Sequence, residues 1–365
     1  MRKPIRTLIV DDSALVRRLL RQILDSDPAI EVMGTAGDPL IAARKMTREV
    51  PDVVLLDVEM PRMSGLEFLE QLMSQHPIPV VICSSHTSRD SQVAFDALRM
   101  GAVEIIEKPK VGTAAFIEES RLRLCDAVKA ASRARLGPPR ADAAAWQPRE
   151  RAMVSQPPPA QLARAVAGYR NVVLGASTGG TEAIRGLLTA LPAQSPPIAI
   201  VQHMPEHFTR MFARNLDELS ELEVREAATG DLMRPGRVYI APGNRHLELR
   251  RRRHGVVCQV RDGPLVRRHR PSVDVLFQSA ADSLGAQALG ILLTGMGDDG
   301  ARGLQAMHEA GARTLAQDEQ SSVVFGMPAE AIRRGAVDRV ISLHDLARCL
   351  LMESELSGGS RGAVG

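Results

Sequence analysis

Short runs of aliphatic and β-branched residues at 5–10, 30–35, 53–56, 79–84 and 103–106 alternate with stretches whose apolar residues return every three or four positions. The short runs have the length of strands, and the longer period is that of a helix with one apolar face. Behind Ser13, a fitting N-cap, Leu15, Val16, Leu19, Leu20 and Ile23 follow helical spacing, as do 66–73 and 93–100. Strands that alternate with helices are joined by crossovers, so the sheet is parallel and covered on both faces. The chain is therefore expected to be α/β. The alternation returns after residue 170, with strands expected at 171–174, 198–202, 238–241 and 289–293 and helices at 181–190, 207–218, 273–284 and 301–310. Between them 247–249 and 256–260 flank Arg250, Arg251, Arg252, Arg253, His254 and Gly255, which has the look of a hairpin with a basic turn.

The two regions are separated by residues 126–168, where thirteen alanines and six prolines accompany no long apolar periodicity. This is expected to be a linker, helical at its start, where 127–135 continues the last helix of the first region. Trp146, the only tryptophan, reads either as a solvated side chain or as an anchor for that linker. A length of 365 residues suits about two domains. The expected division is a domain at 1–124, a linker at 125–168, a second domain at 169–352 and a flexible Ser/Gly-rich tail at 353–365.

The net charge of +3 gives no reason to expect nucleic-acid binding. The four cysteines, Cys83, Cys125, Cys258 and Cys349, form no C-x-x-C pair, which fits reduced thiols rather than a disulfide framework or a zinc site. The basic start is followed by too short an apolar run for a signal peptide, and nowhere do some 18 apolar residues run together. The expectation is a soluble, cytoplasmic protein without membrane insertion.

In the first region Asp11 and Asp12 end the first strand and Asp57 ends the third. In a sheet of order 2-1-3-4-5 these strands are neighbours, and the carboxylates converge at the sheet's carboxyl edge, where ligands bind. Clustered carboxylates need a cation, and hard oxygen ligands of this kind suit Mg²⁺. Ser84 ends the fourth strand and Lys108 the fifth, adding a hydroxyl and a cation where a phosphoryl group would need both.

In the second region Gly175, Ala176, Ser177, Thr178, Gly179 and Gly180 follow a strand and open a helix. Such a turn exposes Ser177 as a nucleophile and lets backbone N–H groups approach an oxyanion; it would equally cradle a phosphate or a dinucleotide. His203 ends the next strand and is placed to act as general base. His203, Glu206 and His207 also match the H-x-x-E-H signature of zinc hydrolases, but Pro205 keeps Met204 out of helical geometry, so the two histidines do not share a helix face. Another Gly-rich loop, 294–300, brings Asp298 and Asp299, one of which either orients the histidine or merely caps a helix.

Asp11, Asp12, Asp57 within Leu56–Pro61, Gly65, Ser84 and Lys108-Pro109 together resemble a response-regulator receiver domain, flavodoxin-like in fold. The resemblance implies phosphorylation of Asp57 by a histidine kinase, Mg²⁺ held by Asp11, Asp12, Asp57 and the Glu59 carbonyl, and readout by Ser84 and Lys108. It departs from the family at Ile105, where a switch aromatic is usual. Residues 170–352 resemble the catalytic domain of the chemotaxis protein-glutamate methylesterases through 175–180, 202–205, 239–243, 271–274, 294–300 and 325–328. That implies Ser177 as nucleophile, His203 as general base and then acid, and Asp299 as orienter. The backbone N–H groups of Thr178 and Met296 are the candidates for the oxyanion hole. The implied substrates are glutamyl γ-methyl esters and selected glutamines on the cytoplasmic helices of methyl-accepting chemoreceptors, with a chemotaxis histidine kinase as phosphodonor and no cofactor for the hydrolysis itself. The family also implies that the unphosphorylated receiver blocks the active-site face. The alternative is a receiver joined to a module that binds a nucleotide or protein without chemistry. Nine arginines against two acidic residues at 245–270 read as a solvated hairpin or as a docking face for acid-rich receptor helices.

Overall fold

The computed structural model describes residues 3–60, 64–85, 88–109, 114–136 and 171–356. The chain divides into two compact units, Met1–Ala143 and Ala144–Gly365, each built on its own sheet. Trp146, the rest of the linker and the end of the tail lie outside the described residues.

The first unit runs β1 (Ile5–Val10), α1 (Ala14–Asp25), β2 (Ile30–Ala36), α2 (Pro39–Met46), β3 (Val53–Leu56), α3 (Gly65–Gln75), β4 (Val80–Ser84), α4 (Ser88–Arg99), β5 (Glu104–Glu107) and α5 (Ala114–Ala131). All five strands are parallel, in the order β2-β1-β3-β4-β5. Helices bury both faces, so every residue of β3 is within 1% of full burial, and a continuous apolar run is what such a strand requires. Each aliphatic side chain buried this way contributes about 1.5–3 kcal/mol.

Local chemistry sets the helix starts. Ser13 caps α1 by accepting from the Val16 N–H, and Ser64 and Glu67 form a reciprocal capping box on α3. Along α1 the buried residues are Leu20, Ile23 and Leu24, whereas Leu15 is 72% exposed. Leu15 keeps the helical spacing but sits on the first turn, above the sheet edge, where nothing in its own unit covers it. Helix α5 continues to Ala131 with Leu124, Cys125, Ala127, Val128, Ala130 and Ala131 buried, so the last helix reaches into the Ala-rich stretch.

The second unit comprises β6 (Asn171–Ala176), α6 (Gly180–Leu188), β7 (Ile198–Gln202), α7 (Glu206–Leu219), β8 (Glu223–Glu226), β9 (Arg237–Ile240), β10 (His246–Arg252), β11 (Gly255–Arg261), α8 (Val273–Leu284), β12 (Ala288–Leu292), α9 (Ala301–Glu309), β13 (Arg313–Gln317), α10 (Met327–Arg333), β14 (Arg339–Ile341) and α11 (Leu343–Leu356). Seven parallel strands stand in the order β14-β13-β12-β6-β7-β9-β8, three more than the sequence pattern marks. The chain leaves β6 toward β7 on one side and later returns through β12 on the other. The carboxyl end of β6 is therefore the topological switch point, where the flanking crossovers diverge and leave a crevice.

β10 and β11 pair separately as an antiparallel hairpin with Arg252 opposite Gly255. Only Arg253 and His254 form its turn, so the strand extends through most of the basic run expected to be turn. Much of the positive charge is engaged locally. Glu248 pairs with Arg250 at 2.6 Å and Arg261 at 2.5 Å, and Arg245 lies 3.2 Å from Asp262. Arg251 donates to the Ser283 carbonyl and to Gln287, both at 2.9 Å. Among the described residues Arg252 and Arg253, at the tip, are exposed without an ion pair.

Candidate functional site

At the edge of the first sheet, carboxylate oxygens of Asp11, Asp12 and Asp57 lie within 4.8 Å of one another. β1 and β3 are neighbours paired in register from Thr7 opposite Val53 to Val10 opposite Leu56, so the residues that follow them are forced together. Asp11 and Asp57 are almost fully buried and Asp12 is exposed. Lys108 Nζ bridges the two buried groups, 2.7 Å from Asp57 Oδ2 and 2.9 Å from Asp11 Oδ2. The Glu59 N–H donates to Asp57 Oδ1 at 3.1 Å, and the Ser13 N–H donates to Asp11 Oδ1 at 2.8 Å. Burial raises the pKa of Asp57 above its ordinary 3.8; Lys108 opposes this and Asp11 adds to it. Ser84 is buried at the end of β4, and its carbonyl accepts the Lys108 N–H at 2.9 Å. The structure thus brings Asp11, Asp12, Asp57, Glu59, Ser84 and Lys108 to one edge. Ile105 is buried in β5.

At the switch point of the second sheet, Ser177 follows β6 and His203 follows β7. Ala176 stands opposite Gln202, so Ser177 and His203 follow neighbouring strands about 4.8 Å apart. The Ser177 N–H donates to the Thr294 carbonyl at 3.0 Å, which ties this turn to the loop after β12. Gly295 makes that contact possible: a Cβ there would lie 2.7 Å from the Ser177 Cβ and 2.3 Å from Met327 Sδ. Met296 is the next residue of the same loop, and Thr178 follows Ser177, so both oxyanion-hole candidates border the serine.

His203 Nε2 lies 2.8 Å from Asp299 Oδ2. Asp299 is 1% exposed and its remaining lone pairs are filled by Ser272 Oγ (2.7 Å to Oδ1), the Val273 N–H (2.7 Å to Oδ2) and the Asp274 N–H (3.1 Å to Oδ1). The two N–H groups belong to the first turn of α8, whose N-terminus favours a negative charge. Burial alone would raise the Asp299 pKa, but the hydrogen bond and charge of His203, then His269 and Ser272, hold it below 3.8. An ionised Asp299 accepts only, so His203 carries its proton on Nε2, and Nδ1 is the basic nitrogen. His203 Nδ1 is buried and has no hydrogen-bond partner. Asp298, the other carboxylate of the loop, turns away to Arg267 at 3.3 Å.

Pro205 is the N-cap of α7, so His203 lies on the strand side and His207 within the helix, as Pro205 requires. The acidic cluster of the first unit is the only group of three or more candidate ligands among the described residues. Cys83, Cys125 and Cys258 are buried free thiols, and burial pushes Cys258 up to about 12.

Sequence reasoning assigns no role to three participants, although one of them, Ser272, lies in the 271–274 stretch that carries the resemblance. Ser272 has a signal, since a Ser after Pro and before an apolar helical stretch marks a helix start. His246 and His269 have none. His246 is fully buried; its Nε2–H donates to the Pro264 carbonyl at 2.8 Å and its Nδ1 accepts the Ser272 N–H at 3.3 Å. Burial pushes its pKa below 6.5, which preserves the neutral ring this arrangement needs. It holds Ser272, which holds Asp299, which holds His203. The ring of His269 stacks on His203, centroids 3.7 Å apart and planes 7° apart.

Two parallel sheets in series, one edged with carboxylates and a lysine and the other with a serine beside an aspartate-held histidine, are the make-up of a response regulator with an enzymatic output. The family model for CheB methylesterase matches residues 172–350 and that for the response regulator receiver domain matches 7–116. Protein-glutamate methylesterase/protein-glutamine glutaminase 5 of Anaeromyxobacter dehalogenans is 59% identical over 93% of this chain and 94% of its own length. The corresponding protein 3 of Geobacter metallireducens is 57% identical over 96% and 99%. The crystal structure of the Thermotoga maritima CheB methylesterase catalytic domain, 37% identical, covers 50% of this chain and 97% of its own, with a TM-score of 0.49. The chain belongs to the CheB methylesterase family and carries the receiver domain at its N-terminal side. Among the described residues no helix is long and apolar enough to cross a membrane.

Proposed function

We propose that this chain is a phosphorylation-activated, cytoplasmic hydrolase that demethylates glutamyl γ-methyl esters on methyl-accepting chemoreceptor helices and converts selected receptor glutamines to glutamate in chemotaxis adaptation. The observation that carries the reading is the buried Asp299–His203 pair with an unpartnered Nδ1, at a strand end adjacent to the one that Ser177 follows. The names of the relatives supply the substrate class.

In this reading Ser177 Oγ attacks the γ-carbonyl while His203 Nδ1 takes its proton. The imidazolium that forms is stabilised by ionised Asp299, and the oxyanion is held by the N–H groups of Thr178 and Met296. The leaving methanol or ammonia takes the proton from His203. Water, deprotonated by the same nitrogen, then cleaves the acyl-enzyme. Ester and amide differ only in the leaving group, so one site serves both.

Asp57 is the proposed phosphorylation site, with a chemotaxis histidine kinase as donor. Two nearly buried carboxylates and a third at 4.8 Å or less, served by one lysine, form a set of hard oxygen donors that fits Mg²⁺. Asp11, Asp12, Asp57 and the Glu59 carbonyl would hold the ion, which supplies the charge that lets a phosphoryl group join this cluster. Ser84 and Lys108 then contact that group.

The test is methanol release from methylated receptor membranes by the wild type and Ser177→Ala, each with and without a small phosphodonor and Mg²⁺. Release that needs Ser177 and rises with the phosphodonor is expected. Absence of release while Asp57 is phosphorylated would refute hydrolysis and leave a binding module in its place.

A further inference from the structure

The segment between β11 and α8 contains a device that the reaction above does not use. Val266 N–H donates to the His269 carbonyl at 3.0 Å and His269 N–H to the Val266 carbonyl at 2.9 Å, closing a two-residue turn. Its central residues are Arg267 at φ 50° and Arg268 at φ 68°. Both are left-handed, as a type I′ turn demands, in places usually filled by Asn and Gly. Two arginines there are strained, and such strain persists only where the surroundings enforce it. Arg267 is held from outside the turn, 3.3 Å from Asp298 and 3.6 Å from Asp274. What the turn delivers is the His269 ring, flat on His203.

A single hydrogen bond from Nε2 to Asp299 leaves an imidazole free to swing about that bond, which would carry Nδ1 away from the serine. A flat ring at van der Waals distance removes that freedom. We propose that His269 is a positioning residue for the general base: its ring holds His203 in the orientation that serves both Asp299 and Ser177. The proposal rests on the roles assigned to Ser177, His203 and Asp299 above.

The charged and titratable groups around the pair are Asp298 and Asp299 from the loop after β12, Asp274 from α8, Arg267 and Arg270 from the segment itself, and His246 from β10. Asp298 and Asp274 face Arg267, Asp299 is saturated with donors, and Arg270 bonds Asn244 and the Gly263 carbonyl, so none of them replaces His269 in the stack.

The experiment compares full-length wild type, His269→Ala and His269→Phe by receptor-methanol release and by NMR of ¹³C-labelled histidine rings. His269→Ala is expected to lower kcat about ten- to hundredfold with little change in KM, as misplaced catalytic groups do. His269→Phe, equally flat, restores kcat. Full activity in His269→Ala or equal loss in both variants would each overturn the proposal. The NMR arm needs no turnover: a wild type that releases no methanol refutes the functional reading, while His203 ring signals that are the same in wild type and His269→Ala refute the stacked pair.

Discussion

Replacing Asp299 by Asn changes no volume and removes one acceptor oxygen, and the surroundings make that loss countable. Four donors converge on the carboxylate, two on each oxygen: Val273 N–H and His203 Nε2 on Oδ2, Ser272 Oγ and Asp274 N–H on Oδ1. An amide can serve only one side as acceptor, and its NH₂ must face the other. Facing Oδ1, it meets the Ser272 hydroxyl, which can rotate to accept, and the Asp274 N–H, which cannot. Facing Oδ2, it meets the Val273 N–H and forces His203 to accept through Nε2, so the proton moves to Nδ1 and the base is lost. Either way one backbone N–H at the start of α8 is orphaned, at about 1–3 kcal/mol, and the remaining bonds lose their charge assistance, for about 2–4 kcal/mol in all. For a unit of this size that lowers Tm by roughly 5–15 °C. With the amide NH₂ on the Oδ2 side the rate should fall about 10⁴-fold, the cost of holding a triad histidine in the wrong tautomer; with it on the Oδ1 side the tautomer survives and the loss is that of the charge that stabilises the imidazolium.

The pH dependence has a definite sign. The folded-state pKa of Asp299 is below its ordinary 3.8, so its stabilisation is complete above that value and is lost as pH falls through the depressed one. The Tm gap between wild type and Asp299→Asn should therefore be constant near neutrality and shrink in strong acid. Calorimetry on the full chain and receptor-methanol release measure the two effects. An Asn variant with wild-type Tm and a rate within tenfold would show that Asp299 is neither ionised nor the partner that sets the His203 tautomer.

Removing only the Ser272 hydroxyl leaves three of the four bonds, so Ser272→Ala should cost about 1–2 kcal/mol and reduce kcat by about tenfold without changing KM; unfolding and steady-state kinetics check it. Gly295→Ala should do the reverse, with a large loss of rate for a modest loss of stability, because the added methyl displaces the Ser177 Cβ from 2.7 Å; wild-type kcat would contradict the close approach. In the receiver, burial holds the Asp57 pKa above 3.8, so its contribution to stability is complete below that value and is lost as pH rises through the raised one. Asp57→Asn should accordingly raise the receiver's Tm at neutral pH in EDTA, and Mg²⁺ should stabilise the wild type more than this variant. A lower Tm for the variant would show that the pair with Lys108 outweighs burial. The native thiols Cys83, Cys125 and Cys258 should resist alkylation until the chain unfolds.

The parallel order of the first sheet and the three strand-end turns of the second were legible because each is a local pattern: an apolar run of strand length, then a carboxylate, a histidine or glycines where the strand ends. The strands that went unmarked are β8, β13 and β14. β8, Glu223–Glu226, has three charged residues in four, and β14, Arg339–Ile341, has two of its three residues exposed. Both are edge strands of the seven-stranded sheet, and an edge strand pairs through its backbone on one side only, so it has no need of a continuous apolar run. β13 lies inside the sheet, but it begins on an exposed Arg313 and ends on Gln317, whose buried side chain accepts the Thr294 N–H. Its polarity supports the loop that carries Asp299.

The same reasoning explains why the serine, histidine and aspartate could be named while their support could not. Ser177, His203 and Asp299 each end or follow a strand at the switch point, and the fold class dictates that residues there converge. Ser272, His246 and His269 reach the site from an appended hairpin and an irregular segment whose course no periodicity encodes. Their placement depends on long-range contacts: Ser272 lies 26 residues from the His246 ring it donates to, and 27 from Asp299. Positions that strand topology sets can be read from a pattern. Positions set by side chains meeting across loops become visible only when the donors around Asp299 are counted, and that count assigns the second layer of this site its work.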